Sequence, residues 1–409
     1  MDLPDSVSTL PCNLCAGRDV TVVSRRSRSG KPLRTVACKA CGLVWSDPRP
    51  QEARQFYTED YRLAYKGTFA PRDKHVLRAG RVALDRLGMI RPHLRGRMKV
   101  LDVGSGGGEF AYLLQSLGHE VTGVEPNRGY AGFAAGQYGL DIRRGMLDEV
   151  DLEPGGWDLV TVWHVLEHME DPAAVLRKLR GALRPGGLLV VEVPNVEATC
   201  QSPRGTFHEA HIFSFGIPTL SRLGEKAGFH VERTAGSPDG GNILVVFQAV
   251  EESSAAEAAL PGYHERVVST LGDHTSWRHA FTRHPWTRLA ARVGRAVEEP
   301  LALRRGLKGR ALLDAVYAQP APATPRGAAL WPWLVGAYAL AIVAEESIVD
   351  GHERLALIGP ENALPVYLML QLLVVGALLQ RLRSKRASTR ELIKLGSWSV
   401  PLLAVPIVC

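Results

Sequence analysis

The sequence predicts an α/β fold with a doubly wound, seven-stranded sheet. A small cysteine-knuckle ribbon precedes it, and a helical, membrane-inserted tail follows. Three observations carry this. Between Lys99 and Glu125 an apolar run, KVLDV, meets the glycine loop Gly104-Ser-Gly-Gly-Gly108 and continues into a second strand, EVTGVE. Two C-x-x-C pairs stand early in the chain, and two uncharged stretches stand near its end. The 409 residues leave room for two or three domains and a sizeable core.

The first element is the ribbon. Cys12-x-x-Cys15 and Cys38-x-x-Cys41 are separated by 22 residues. Each pair presents two thiolates to one ion, and two such knuckles complete a tetrahedral zinc shell. Val20 to Ser24 and Leu33 to Ala37, flanking Ser29-Gly30-Lys31-Pro32, read as the hairpin between them. Four cysteines close the shell, so the expected zinc is structural, and the spacing counts against a disulfide or redox role. Cys200 and Cys409 carry no spacing signal and read as small hydrophobes.

The glycine loop is the second element. Phe110, Leu113, Leu114 and Leu117 fall at i, i+3, i+4 and i+7, which predicts a helix after the loop, stopped by Gly118. Glycines let the backbone approach a ligand closely. Glu125 then ends the next strand, where a carboxylate in an open α/β sheet can take two ribose hydroxyls. The dinucleotide fingerprint requires a sixth-position glycine, and Glu109 stands there instead. Asp102 adds further negative charge, so the loop suits a ligand with a cationic centre rather than a pyrophosphate.

At these residues the chain resembles the class I S-adenosylmethionine-dependent methyltransferases, whose first motif, D-x-G-x-G-x-G, stands here as Asp102-Val-Gly104-Ser-Gly106-Gly-Gly108. The resemblance implies a Rossmann-like sheet and S-adenosylmethionine as cofactor, with Asp102, Gly104, Gly106, Gly108 and Glu125 around it. It continues through Gly145-Met-Leu-Asp148, which implies that Asp148 meets the adenine amino group, and through the strand Asp158 to Trp163, which adds Trp163 to the cofactor set. The following His164-Val-Leu-Glu167-His168 is similar to the ubiquinone-type O-methyltransferases, where this segment can hold a divalent ion. His164 departs from that pattern, standing where those enzymes have a carboxylate, so hydrogen bonding across the loop is expected in place of a metal. A helix from Asp171-Pro172 through Leu183, a break at Arg184-Pro-Gly-Gly187 and a fifth strand, Leu188 to Val193, follow, and the match covers roughly residues 75 to 250. The ribbon, with Gly42-Leu-Val-Trp-Ser-Asp-Pro-Arg-Pro and Phe56-Tyr57-x-x-x-Tyr61, resembles the zinc-binding segment that heads many bacterial sugar and natural-product methyltransferases.

After the fifth strand comes Phe207-His208-Glu209-Ala-His211-Ile-Phe213-Ser214, then a helix from Pro218 to Gly228 and strands at Phe229 to Arg233 and Asn242 to Gln248. This loop lies over the carboxyl ends of the strands, so an imidazole there faces a methyl acceptor. A histidine near its free pKa can take a hydroxyl proton during transfer. The candidate catalytic residues are therefore His211, His168 and Glu167; His208 reads as a loop anchor.

Lys and Arg number 49 against 42 Asp and Glu, a mild excess. The ribbon lacks aromatics interleaved with Arg, so nucleic acid is not the expected partner. No charged-then-apolar leader opens the chain, so a secretory signal is not expected. Between His264 and Arg310 ten basic residues face four acidic ones, a net of +6 (10 − 4), and Trp286, Leu289, Ala290, Val293 and Val297 fall at helical spacing. Such a helix can lie on an anionic membrane or pack as a solvated helix on the catalytic domain. Gln319 to Pro325 reads as a stiff linker.

Residues 328–344 and 363–380 hold no charge and form two candidate transmembrane helices, with an acidic loop between and Arg381 to Arg386 after. The chain thus divides into a zinc-ribbon segment (1–60), a methyltransferase domain (61–250), a basic helical linker (251–326) and an apolar tail (327–409). The expected activity is O-methylation of a sugar, lipid-linked or other small-molecule hydroxyl by a cytoplasmic catalytic domain held at the membrane. If the apolar stretches form a buried pair instead, the protein is cytoplasmic. Sugar C-methylation, a nucleic-acid-binding ribbon protein and an inactive membrane scaffold are the alternatives; the intact loop and Glu125 argue against the last.

Overall fold

Valine-rich alternation builds the first sheet of the computed structural model, which describes residues 7–49, 70–251 and 257–318. Strands β1 (Val20–Arg26) and β2 (Pro32–Cys38) form the expected hairpin, with Val20 opposite Cys38 and Val22 opposite Val36. β3 (Val44–Ser46) adds antiparallel to β2. Phe56, Tyr57 and Tyr61 lie outside the described residues.

Helix α1 (Asp73–Ile90) precedes β4 (Lys99–Val103), α2 (Glu109–Ser116), β5 (Glu120–Glu125), α3 (Arg128–Tyr138) and β6 (Asp141–Arg144). Then come β7 (Trp157–Trp163), α4 (Pro172–Ala182) and β8 (Leu183–Pro194). After the two-residue β9 (Phe213–Ser214) follow α5 (Ile217–Lys226), β10 (Phe229–Gly236) and β11 (Asn242–Ala249). Asn127 and Asp171 cap α3 and α4, accepting from Tyr130 and Ala174 N–H groups. The second sheet has seven strands in the order β10-β11-β8-β7-β4-β5-β6, parallel from β8 to β6 and antiparallel at β11 and β10. β5 and β6 lie on one side of β4, and the chain then returns to β7 on the other side. That reversal is the switch point where such sheets bind ligands.

The helix after Asp171 ends at Ala182 rather than Leu183, and Arg184 to Gly187 belong to β8 rather than interrupting the chain. Leu183 pairs with Trp157 at the foot of β7, so tertiary pairing extends the backbone there.

β9 joins the ribbon, not the large sheet: Trp45 pairs with Phe213 and Val44 with Ser214. The ribbon residues Leu14 and Trp45 share one hydrophobic core with Leu166, Val193, Phe213 and Phe215 on a face of the large sheet. A second core on other elements unites Leu77 of α1, Leu114 of α2 and Val246.

Residues expected as a basic linker form α6 (Tyr263–Asp273), α7 (Ser276–Ala280), α8 (His284–Leu303) and α9 (Gly309–Tyr317). Leu312, Leu313 and Val316 of α9 are buried in the second core, and Tyr263 and Val267 of α6 pack with Ala37 and Val44 of the ribbon. By contact, Met1–Arg288 and Val297–Ala321 form one unit; the other comprises Leu289–Ala296 and Pro322–Cys409. Of that second unit the structure describes the helical stretch Leu289–Ala296 within α8. Among the described residues no helix is long and apolar enough to cross a membrane. The candidate spans 328–344 and 363–380, and the linker Gln319 to Pro325, lie outside them.

Candidate active site

The glycine loop leaves β4 at the switch point and folds back over β5. Gly104 and Ser105 N–H groups both donate to the Val124 carbonyl, at 2.7 and 3.1 Å. Gly104 has φ +70°, and a Cβ built on it would stand 2.3 Å from Cγ2 of Val165. Position 104 therefore tolerates no side chain, both for its left-handed backbone and for the close approach of the β7 exit segment. Glu125 braces the loop from below: its Oε2 accepts from the Gly106 N–H at 2.8 Å and its Oε1 from the Asn127 N–H at 3.0 Å. Gly108, at φ +84°, is the N-cap of α2.

Asp102 is buried next to the loop, and its Oδ1 accepts from the Thr161 hydroxyl at 2.7 Å. Burial pushes its carboxyl up to about 6, against the Thr161 hydrogen bond and the Arg86 charge, which favour the anion. A cavity of about 650 Å³ opens here, lined by Asp102, Gly104, Ser105, Phe110 and Trp163 and by Arg86 of α1. Phe110 meets Trp163 edge to face at 5.1 Å, and the Arg86 guanidinium lies 4.6 Å from the Trp163 ring centre. Asp148 lies exposed in the turn after β6, where its backbone carbonyl accepts from the Lys178 ammonium at 3.3 Å.

A cluster of histidines and carboxylates occupies the exit of β7. His164 has φ +56°, which turns the chain sharply after Trp163. Its Nδ1 is 3.4 Å from Glu167 and its Nε2 is 3.1 Å from Glu192. Burial opposes a charge on His164, but the two carboxylates outweigh it and hold the imidazolium up to about 9. Burial likewise opposes the Glu167 anion, yet His168, His164 and His211 bring it down to about 2. Both nitrogens of His164 thus face carboxylates across the loop, the polar contact expected there in place of an ion.

His168 and His211 stack edge to face at 4.8 Å, and His208 lies 5.0 Å from His211. His211 is not near its free pKa: burial drives it down to about 3 against the pull of Glu167, so the ring is neutral and a weak base. His208 is pushed down to about 4, again by burial first. Its Nδ1 accepts from the Ala210 N–H at 2.8 Å, the anchoring role its position suggested. Sequence reasoning missed Glu192, Arg86 and Thr161. A lone carboxylate inside the apolar run LLVVEV was the available signal for Glu192.

The four ribbon cysteines converge. Cys12 and Cys41 sulfurs are 3.5 Å apart and Cys15 and Cys38 sulfurs 3.4 Å apart, and all four lie within 4.8 Å of one another. A tetrahedral shell with Zn–S near 2.3 Å has edges of about 3.8 Å, so the cluster matches the shell of one ion. The two knuckles repeat one geometry: Ala16 N–H donates to the Cys12 carbonyl and Gly42 N–H to the Cys38 carbonyl, each at 2.8 Å.

The family profile described as "Methyltransferase domain" matches residues 74–234, from α1 into β10. This is a methyltransferase domain. A protein of Mycolicibacterium smegmatis, named as a probable S-adenosylmethionine-dependent methyltransferase, is 33% identical over 139 residues, covering 34% of this chain and 54% of the relative. A ubiquinone biosynthesis O-methyltransferase of Aeromonas salmonicida is 28% identical over 158 residues, 34% of this chain and 65% of the relative. The chain thus spans between half and two thirds of these relatives' length. An S-adenosylmethionine-dependent methyltransferase structure from Mesorhizobium loti aligns over 39% of this chain and 96% of its own, with 18% identity and a TM-score of 0.36. The matched methyltransferase domain includes the glycine loop, Asp102, Glu125, Trp163 and the Glu167–His168–His211 cluster.

Proposed function

We propose that the protein transfers a methyl group from S-adenosylmethionine to a hydroxyl oxygen of a sugar, lipid-linked or other small-molecule acceptor. The observation that carries this is the braced glycine loop: Glu125 holds Gly106 and Asn127 while the 650 Å³ cavity opens beside Asp102 and Trp163. The cavity fits the cofactor, since Gly104 and Ser105 of the loop line it and the buried Asp102 provides an anion for a cationic ligand. When bound, the cofactor supplies an electrophilic methyl and leaves as the neutral thioether, S-adenosylhomocysteine.

The chain's own residues then bind, align and exclude water. Glu125 takes the ribose hydroxyls, Asp102 faces the positive charge, and Trp163 with Phe110 forms an apolar wall. The acceptor approaches over the carboxyl ends of β4, β7 and β8, where Glu167, His168 and His211 meet its hydroxyl. The relatives named ubiquinone biosynthesis O-methyltransferases support an oxygen acceptor. The ribbon takes one structural zinc through Cys12, Cys15, Cys38 and Cys41. Two uncharged stretches, 328–344 and 363–380, support membrane attachment with the catalytic domain on the cytoplasmic side. Calorimetry with S-adenosylhomocysteine tests the reading. Micromolar binding is expected, weakened by about 1–3 kcal/mol in Glu125→Ala, and absence of binding to the wild-type protein refutes it.

A further inference from the structure

We propose that the aromatic pair Trp277 and Phe281, with the arginines beside it, is a docking surface for an anionic lipid bilayer, and that it turns the acceptor end of the sheet toward the lipid. The pair lies outside the matched segment 74–234. Four residues separate the two side chains, so they share one face of the helical turn. Their rings meet at 4.6 Å, and they are 62% and 65% exposed. A single exposed hydrophobic side chain needs no partner, but two rings in contact make a patch that does.

The charge around the pair says which partner. Arg278 and Arg283 flank Phe281 in the chain, and both are exposed. Exposed Arg288 reaches the Cys200 sulfur at 3.8 Å, and α7 packs on the turn Pro203–Gly205, which adds exposed Arg204. Against these four stand two carboxylates, Asp273 paired with Arg278 at 2.6 Å and Asp239 beside Arg288. The sequence then runs through Arg292 and Arg295 before its next acid, Glu298. Aromatic rings among arginines match a layer that is anionic at its surface and apolar beneath. The uncharged stretches 328–344 and 363–380 of the same chain favour a bilayer over an acidic protein as that layer.

The surface is fixed to the catalytic domain. His279, between the two aromatics, is buried, and its Nδ1–H donates to the Thr199 carbonyl at 3.1 Å. Thr199 follows the carboxyl end of β8 at Pro194, and Val196 N–H of the same segment donates to the Phe215 carbonyl at 2.8 Å. The pair therefore stands at the end of the sheet that carries Glu167, His168 and His211. An acceptor drawn from the lipid would meet that end first. This orientation rests on the methyl-transfer reading; the docking surface does not.

Hydrogen exchange of the full-length protein tests this, on vesicles of phosphatidylcholine alone and of phosphatidylcholine with phosphatidylglycerol. Amides of Trp277 to Phe281 should slow about tenfold on the anionic vesicles only, and the effect should vanish at about 1 M salt. Trp277→Ser with Phe281→Ser should remove the protection while exchange in β4 and β7, which reports the fold, stays unchanged. Arg283→Gln and Arg288→Gln should each lower the affinity behind it about fivefold. Equal protection on neutral vesicles, which marks the chain's own tail or a second copy as the occupant, overturns the proposal. So does protection on neither vesicle, or protection unchanged in the aromatic variant. Calorimetry with S-adenosylhomocysteine on the same samples separates the two readings. Cofactor binding without lipid-dependent protection removes the docking surface alone, and protection without cofactor binding removes the methyl-transfer reading and the orientation drawn from it.

Discussion

The Tyr317 hydroxyl donates to the Glu109 carbonyl at 2.7 Å, joining the last described helix to the first residue after the glycine loop. The same helix supplies Leu313, which is fully buried; a Cβ on Gly80 of α1 would stand 2.7 Å from its Cδ2. Tyr112 of α2 adds a second tie through Asp314, at 2.5 Å. The glycine-loop side of the sheet is thus completed by residues some two hundred positions downstream.

Truncation should show this. A chain ending at Leu260 keeps every recognisable motif but exposes the faces that Leu312, Leu313 and Val316 cover. We expect it to aggregate or melt early, while a chain ending at Ala318 stays folded. Leu313→Ala alone should lower stability by about 2–5 kcal/mol in denaturant unfolding.

Gly104→Ala should abolish cofactor binding, because its Cβ would meet Val165 and its φ of +70° is disfavoured for alanine. Adding Val165→Ala removes the clash but not the backbone strain, so calorimetry should find binding only partly restored. Full binding by the single variant would show that the loop is not the ligand's seat.

Asp102 gives a pH signature. Burial raises its carboxyl to about 6 in the folded protein, above the unfolded value of about 3.9. The folded state then holds the extra proton, so stability falls as pH rises between those values, by roughly 2–3 kcal/mol. Asp102→Asn should therefore raise the Tm of the unliganded protein at pH 7.5 and flatten its pH dependence. On the proposed reading, in which the anion faces a cationic ligand, the same variant should bind the cofactor less well. Wild-type affinity should drop as pH falls below about 6.

The ribbon should hold one zinc per chain, measurable by elemental analysis under reducing conditions. Cys38→Ser should release it and, by freeing β3 from β9, loosen the loop that carries His208 and His211. Hydrogen exchange at Ile212 to Ser214 should then rise well above the wild-type rate, since those amides lie on the shared ribbon edge.

If residues 328–344 and 363–380 insert as a hairpin, the full-length protein should sediment with membranes and resist salt and alkaline carbonate. A contact made only by the basic stretch around α8 would release in high salt, where the Debye length falls to about 3 Å at 1 M. Recovery in the soluble fraction without detergent would remove the membrane from the proposal.

Local chemistry made much of the protein legible in one dimension. The glycine loop, the strand-ending Glu125, the two C-x-x-C knuckles and the 3.6-residue periodicity of α2 are short-range patterns, set by backbone freedom, ligand valence and helix pitch. With the apolar runs at 158–163, 188–193, 229–233 and 242–248 they placed six of the seven strands of the large sheet, and the cysteine cluster. What tertiary structure alone decided depends on pairing between distant segments. β9 is two residues long and has no pattern of its own; it exists because Trp45 faces Phe213. The neutral state of His211 follows from burial in a loop hydrogen-bonded to a ribbon far from it in sequence, and the charge of His164 follows from Glu167 together with Glu192 on a neighbouring strand. The place of α9 in the core was equally hidden, because an amphipathic helix shows one apolar face without naming what covers it.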